Sequence, residues 1–306
     1  MARPPSPAAG IAADLIPPEV RARLRSLQLT ARQAAGVQGF GLHASQSRGA
    51  GLEFSQYRAY EPGDEPRQVD WKLYARSDRF FVREAERDSP IDVWLLIDTS
   101  ASMSQGDAVR PGWSRLDAAR ALAACIIELA LRQGDRFGLV AIGDGTLQLT
   151  PIGAGPRHRD RCVLALRGLG ASGRWPDKAR LRPLWEYVGA RTLVVSLSDA
   201  FDPAVVQLAE RLAAARREVL SVQILTAEER DFPFQGGHRF YDPETGAEML
   251  GDGASVRDGF ITRFAAARAA LASRLAASGI RHVEYVLDEA LDAPLRRLFA
   301  TGPGRA

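Results

Sequence analysis

The run Ile91-Asp92-Val93-Trp94-Leu95-Leu96-Ile97 constrains this chain more than any other stretch. Branched and aromatic residues at nearly every position leave no polar face, so the run suits a strand covered on both sides, as in a parallel sheet flanked by helices. It opens directly into Asp98-Thr99-Ser100-Ala101-Ser102-Met103. In open α/β sheets ligands lie beyond the carboxyl ends of the strands, which is where Asp98, Ser100 and Ser102 fall. One carboxylate and two hydroxyls are hard oxygen donors of the kind Mg²⁺ takes while keeping several of its waters. A plain helix-capping turn accounts for the same spacing, because Asp and Ser are also common cap residues.

Downstream, strand and helix patterns alternate. Residues 116–131 are apolar nearly all round, as in a helix buried beside a sheet. Residues 137–142 read as a strand, Gly143-Asp144-Gly145 as a tight turn, and 146–150 as the return of a hairpin. Helices are predicted over 159–167 and 178–188, then a buried strand over 192–198 that ends at Asp199. Asp202-Pro203 opens a helix with Val205, Leu208, Ala209 and Leu212 on one face. A strand over 219–225 precedes a hairpin excursion, 232–254, whose strands span 238–250 about the turn Asp242-Pro243-Glu244-Thr245-Gly246. A long helix, 258–277, is expected to bury Phe260, Phe264, Leu271 and Leu275, and a strand (282–287) and helix (290–300) close the pattern. The fold class that follows is α/β, a doubly wound, mostly parallel six-stranded sheet with helices on both faces. The expected organisation is a disordered tail (1–17), a helix and charged segment packed on the core (18–88), the α/β domain (89–301) and a short tail (302–306).

Composition narrows the function classes. Basic and acidic residues, 40 and 37, are mixed along the chain, so no nucleic-acid partner is indicated. The densest basic stretch, Arg157-His158-Arg159-Asp160-Arg161, reads as a solvated helix start. Cys125 and Cys162 sit in apolar helical patterns and suggest neither a disulfide framework nor a thiolate metal site. No apolar stretch reaches membrane-spanning length and Met1 to Pro7 lacks the core of a signal peptide, so a cytoplasmic protein is expected. The chain has no G-x-x-x-x-G-K-[ST] loop, no H-E-x-x-H and no G-x-S-x-G, and His43, His158, His238 and His282 are scattered. No nucleotide, haem or zinc is therefore expected. A Mg²⁺-dependent hydrolase using Asp98 and Asp199 remains an alternative, because two carboxylates and a metal can activate water.

The segment from Glu53 to Arg87 nearly balances its charges, which points to ion pairs within the segment. Pro62-Gly63-Asp64 reads as its turn and 80–83 as a strand, with Tyr57, Tyr60 and Trp71 as aromatic anchors. Scaffolding and a partner-docking surface both fit it.

Several motifs carry a resemblance: Gly51-Leu52-Glu53-Phe54, Arg58-Ala59-Tyr60-Glu61-Pro62-Gly63-Asp64, Arg67-Gln68-Val69-Asp70-Trp71-Lys72, Ala75-Arg76, and Asp98 to Met103. The chain resembles the bacterial family called domain of unknown function 58, whose core is a von Willebrand factor type A fold, over roughly Gly36 to Leu298. The resemblance implies a metal-ion-dependent adhesion site, with Mg²⁺ held by Asp98, Ser100, Ser102 and Asp199 and an open position for a partner's carboxylate. It also implies a threonine from a second loop, but in residues 170–177 Trp175 stands at that position, and only a shifted register would bring Ser172 there. Partner contacts would fall to Thr99, Met103, Ser172, Trp175 and Phe201. Arg58, Tyr60, Gly63, Asp64, Arg67, Asp70, Trp71 and Arg76 would be structural. The implied role is a non-enzymatic adaptor working with a MoxR-type AAA+ ATPase in the assembly or maturation of client proteins. A structural domain with a non-functional metal site is the other alternative.

Overall fold

The computed structural model describes residues 14–31, 53–60, 69–86 and 90–299. Residues 1–13 of the expected tail at 1–17, the expected tail at 302–306 and the turn at Pro62-Gly63-Asp64 lie outside the described residues, as does Arg67. The chain divides into two compact units, residues 1–37 with 91–306 and residues 38–90.

Helix α1 (Pro18–Leu24) starts on a proline, where the missing N–H has no helical acceptor to lose, and it buries Val20 and Leu24. It belongs to the larger unit, not with the charged segment. Arg132 Nη1 donates to the Leu24 carbonyl at 2.9 Å, and Arg23 donates from Nε and Nη2 to the buried Asp292 at 3.0 and 2.8 Å. Ile16, inside the stretch expected to be a tail, is buried in the same core because its apolar side chain gains by leaving water.

The smaller unit is an antiparallel pair, β1 (Glu53–Ala59) and β2 (Phe81–Glu86), with helix α2 (Trp71–Ser77) between them in sequence. Asp70 caps α2, its Oδ1 accepting from the N–H groups of Lys72 and Leu73 at 2.9 and 3.0 Å. Tyr74 stacks on Phe80 at 4.3 Å, and Trp71 and Tyr60 also pack against Phe80. Asp70 and Trp71 thus serve local structure, the one as a cap and the other as an aromatic contact. Arg76 lies in the last turn of α2, and Arg58 pairs through β1 with Val82.

In the larger unit the chain runs β3 (Asp92–Asp98), a 3-10 turn (Ala101–Ser104), α3 (Arg115–Gln133), β4 (Arg136–Gly143), β5 (Thr146–Gly153), α4 (Pro156–Gly168) and the short α5 (Leu184–Tyr187). It continues with β6 (Leu193–Ser198), α6 (Pro203–Ala214), β7 (Glu218–Leu225), α7 (Ala227–Asp231), β8 (Gly237–Tyr241), β9 (Glu248–Asp252), α8 (Gly253–Ala277), β10 (Arg281–Val286) and α9 (Ala293–Phe299). The main sheet has the order β10-β7-β6-β3-β4-β5 and is parallel except for edge strand β5, while β8 and β9 form a separate hairpin. This is the doubly wound α/β sheet expected.

The pleat explains why β3 must be apolar throughout. Val93, Leu95 and Ile97 point into one core with α3, where Leu122, Ile126 and Leu129 are fully buried; Trp94 and Leu96 point into the other, with Leu208 and Leu212 of α6 and Leu275 of α8. Each such side chain stabilises the fold by about 1.5–3 kcal/mol. Cys125 and Cys162 are free thiols in the first core.

Two helix expectations are corrected. Residues 178–188 are not one helix: turns fill most of the span and only α5 is helical, because Pro183 removes a donor and disfavours helix at the residue before it. In α8, Leu275 is buried, but Phe260, Phe264 and Leu271 are only half-buried. Phe260 and Phe264 instead stack on each other at 5.4 Å, and Phe260 meets Phe232 at 4.6 Å.

Candidate metal centre

From β3 the chain reaches β4 on one side, and β6 then joins on the other. The carboxyl ends of β3 and β6 flank this reversal of strand order, where α/β sheets leave a crevice for ligands. Asp98 ends β3, and Ser198 ends β6 with Asp199 directly after it. Asp98, Ser100, Ser102 and Asp199 are all buried.

The first loop gathers oxygens. Asp98 Oδ1 accepts from the Ser100 N–H at 2.9 Å and from Ser100 Oγ at 2.7 Å, and Ser100 Oγ lies 3.1 Å from Ser102 Oγ. Ser198 Oγ donates to Asp98 Oδ2 at 2.5 Å and accepts from the Ala200 N–H at 2.9 Å, which fixes the rotation of the carboxylate. Two neighbouring corners of a Mg²⁺ octahedron with bonds of about 2.1 Å lie about 3 Å apart. The separations along Asp98 Oδ1, Ser100 Oγ and Ser102 Oγ therefore fit one face of such a shell, and these are the residues that would hold Mg²⁺. Among the described residues no three of His, Cys, Asp and Glu gather as a metal-binding group, so serine hydroxyls have to supply part of any shell.

Local sequence builds this geometry. Thr99 continues the ladder by donating its N–H to the Ile142 carbonyl, and its own carbonyl accepts from the Ser172 N–H, both at 2.9 Å. Gly143 makes room for this approach: a Cβ there would lie 2.6 Å from the Thr99 carbonyl carbon. The Ala101 N–H reaches the Gly173 carbonyl at 2.9 Å. Gly173 holds φ +64°, and a Cβ on it would meet Asp144. After Asp199, Ala200 adopts φ +57°, a left-handed conformation that costs a residue with a Cβ roughly 1 kcal/mol or more.

Asp199 has a different role from Asp98. Its Oδ2 accepts from Arg115 Nη1 at 3.0 Å and its Oδ1 from the Phe201 N–H at 3.2 Å, while Gln223 Nε2 donates to its carbonyl at 2.9 Å. Arg115 is fully buried; it also donates to the Ser102 carbonyl at 3.0 Å and pairs with Glu229. Glu229 in turn belongs to the capping box of α7, its Oε2 accepting from the Thr226 N–H at 3.0 Å. Asp199 thus stands beside the oxygen cluster in an ion pair, and would reach a cation there most simply through water.

The electrostatics favour a cation or a proton. Burial, and then the charge of Asp199, push the Asp98 carboxyl up to about 7 against the hydrogen bonds from Ser198 and Ser100. Burial, and also the charge of Asp199, raise the carboxyl of Glu244 in the β8–β9 turn as well.

The expected partner residues separate. Met103 is fully buried and Thr99 nearly so, which corrects their assignment as contacts: Met103 joins the first core, and Thr99 is held between Ile142 and Ser172 through its backbone. Trp175 is half-buried against the second core, so it packs rather than ligates. Ser172 is exposed and meets the first loop through its backbone. Phe201 is 45% exposed, with the Arg115 guanidinium 5.1 Å from its ring centre. Sequence reasoning missed Ser198, Gln223 and Glu229, which are ordinary polar residues until the fold assembles them. It also missed Arg115, which did carry a signal: a cation at the first position of a helix opposes the macrodipole.

A six-stranded sheet in this order, with a D-x-S-x-S loop at its switch point, defines a von Willebrand factor type A-like domain. The model of the family described as Protein of unknown function DUF58 matches residues 56–270, and the chain belongs to that family. An uncharacterized protein of Mycobacterium tuberculosis is 31% identical over 281 residues, covering 90% of this chain and 86% of the relative, and one of Mycobacterium bovis gives the same figures. Among solved structures, the conserved hypothetical protein BatB from Bacteroides thetaiotaomicron is similar with a TM-score of 0.40 and 16% identity, over 68% of this chain and 96% of that chain. The SpRpn10 VWA domain is similar with a TM-score of 0.41 and 15% identity, over 71% of this chain and 100% of that chain. No helix among the described residues is long and apolar enough to cross a membrane.

Proposed function

We propose that this chain is a non-enzymatic interaction module that recognises a carboxylate on a protein partner through Mg²⁺ held by Asp98, Ser100 and Ser102, with Asp199 behind them. The observation that carries the reading is the spacing of three buried oxygens, 2.7 and 3.1 Å apart in sequence along the loop, at the switch point of the sheet. A hydrolytic reading would need Asp199 as a free base. Its two carboxylate oxygens are instead engaged by Arg115 and the Phe201 N–H, which favours recognition over water activation. The partner we propose is a MoxR-type AAA+ ATPase, with the chain serving as its adaptor for client proteins in the cytoplasm.

Binding of the purified chain to such an ATPase from the same genome, measured in Mg²⁺ and in EDTA, tests this. Binding that requires Mg²⁺ and is lost in Asp98→Ala is the expected result. Equal binding by wild type and variant in EDTA would remove the metal as the recognition device, and no binding under any condition would remove the partner.

A further inference from the structure

The smaller unit gathers large aromatic rings without covering them. Tyr74 stacks on Phe80 at 4.3 Å, Trp71 meets Tyr74 and Phe80 edge to face at 6.2 and 6.3 Å, and Tyr60 lies 6.0 Å from Phe80. Rings packed in this way would serve a core, yet α2 buries no residue. Trp71 is 59% exposed, Phe80 43% and Tyr60 38%. A single exposed apolar side chain is ordinary on a protein surface, whereas a contiguous group of large rings marks a place where something docks.

Cations border these rings. Lys72 and Arg76 stand one turn apart on α2 and Arg79 precedes Phe80, and all three are exposed. Among the described residues none of the three is ion-paired, although the charge balance over 53–87 predicts pairs within the segment. Between Trp71 and Phe80 the sole carboxylate is Asp78, so this face carries an excess of positive charge.

Charge and surface chemistry select the occupant. Carboxylates would satisfy the three cations, and large apolar side chains would cover the rings. A nucleic acid suits the unit less well: eight acidic residues lie between Glu53 and Arg87 against seven basic ones, which opposes the field that a phosphate backbone needs.

We propose that this face docks an acidic segment of a protein partner that also carries large apolar side chains, with Trp71 and Phe80 as the apolar anchors and Lys72, Arg76 and Arg79 as the carboxylate contacts. Trp, Tyr and Arg are the residue types that most often dominate the energy of an interface. The proposal uses no residue of the larger unit, so it stands or falls independently of the metal reading.

The test titrates the full chain into a fluorescein-labelled random copolymer of glutamate and tyrosine and reads fluorescence anisotropy. Polyglutamate and oligothymidylate of similar length serve as further probes. Wild type is expected to bind the copolymer about tenfold more tightly than either. Trp71→Ala and the double variant Lys72→Glu with Arg76→Glu are each expected to weaken copolymer binding about tenfold. The double variant changes only exposed side chains, so it reports on docking even where Trp71→Ala unsettles α2. Unchanged affinity in the double variant overturns the proposal, as does polyglutamate binding as tightly as the copolymer. Preference for oligothymidylate would make the face a nucleic-acid site instead. No binding by the wild type, as when the rest of the chain covers the face, also overturns it.

Discussion

Replacing Asp98 with asparagine is expected to stabilise the metal-free protein above neutral pH while abolishing its response to Mg²⁺. Burial and Asp199 raise the Asp98 carboxyl from 3.8 to about 7. The folded state therefore holds this proton more tightly than the unfolded chain. The resulting penalty is absent below the unfolded value, grows as pH rises between the two, and is complete above the folded value. At about 1.4 kcal/mol per pKa unit, the ionised group costs the metal-free fold on the order of 4 kcal/mol at pH 8, and roughly 2 kcal/mol at pH 5. Asparagine keeps the volume and an oxygen for the Ser100 N–H and Oγ. Its amide nitrogen would face Ser198 Oγ, and that altered hydrogen bonding costs about 1–2 kcal/mol. The net expectation is a gain of about 2–3 kcal/mol at pH 8 and almost none at pH 5. Urea unfolding in EDTA across this range measures it, and repeating the series with Mg²⁺ should raise the wild type alone, since only a native state that binds the ion gains stability. Parallel stability–pH curves for wild type and variant in EDTA would refute the reasoning, because they would mean that Asp98 does not carry the penalty.

Three further outcomes follow from the same geometry. Ala200→Gly should stabilise the protein by about 1 kcal/mol in urea unfolding, because the left-handed backbone at that position strains a residue with a Cβ. Arg115→Met should destabilise it by about 3–5 kcal/mol in the same assay, since Asp199 would lose its buried countercharge. Gly143→Ala should cost roughly 1–3 kcal/mol and weaken Mn²⁺ binding measured by calorimetry, because the new Cβ would push Thr99 and the metal loop away from β4.

Much of the fold was legible because its signals are local. Strand β3 betrays burial on both faces by lacking any polar alternation, and Asp202-Pro203 announces α6 through a cap that forms as expected, Asp202 Oδ1 accepting from the Ala204 N–H at 2.8 Å. The errors came where a local pattern was outweighed by something outside it. Helical spacing over 178–188 gave way to Pro183, and the apolar stripe of α8 found aromatic neighbours and only partial cover. At the site, a five-residue spacing was enough to name Asp98, Ser100 and Ser102, because all three ride on one loop. Its depth was not readable: Met103 and Thr99 look exposed in a polar loop and are buried in the fold.

By itself, then, the sequence determined the alternating sheet and helix pattern, the D-x-S-x-S loop at a strand end, and the family to which both belong. Those features repeat within a few residues, and short-range pattern suffices to express them. Only the tertiary structure decided which distant residues share the crevice. Arg115 meets Asp199 across 84 positions, Ser198 fixes Asp98 across 100, and Gln223 of β7 reaches the Asp199 carbonyl across 24. The physical reason is that burial and charge at the site are sums over neighbours from separate strands and loops, and no single segment contains that sum.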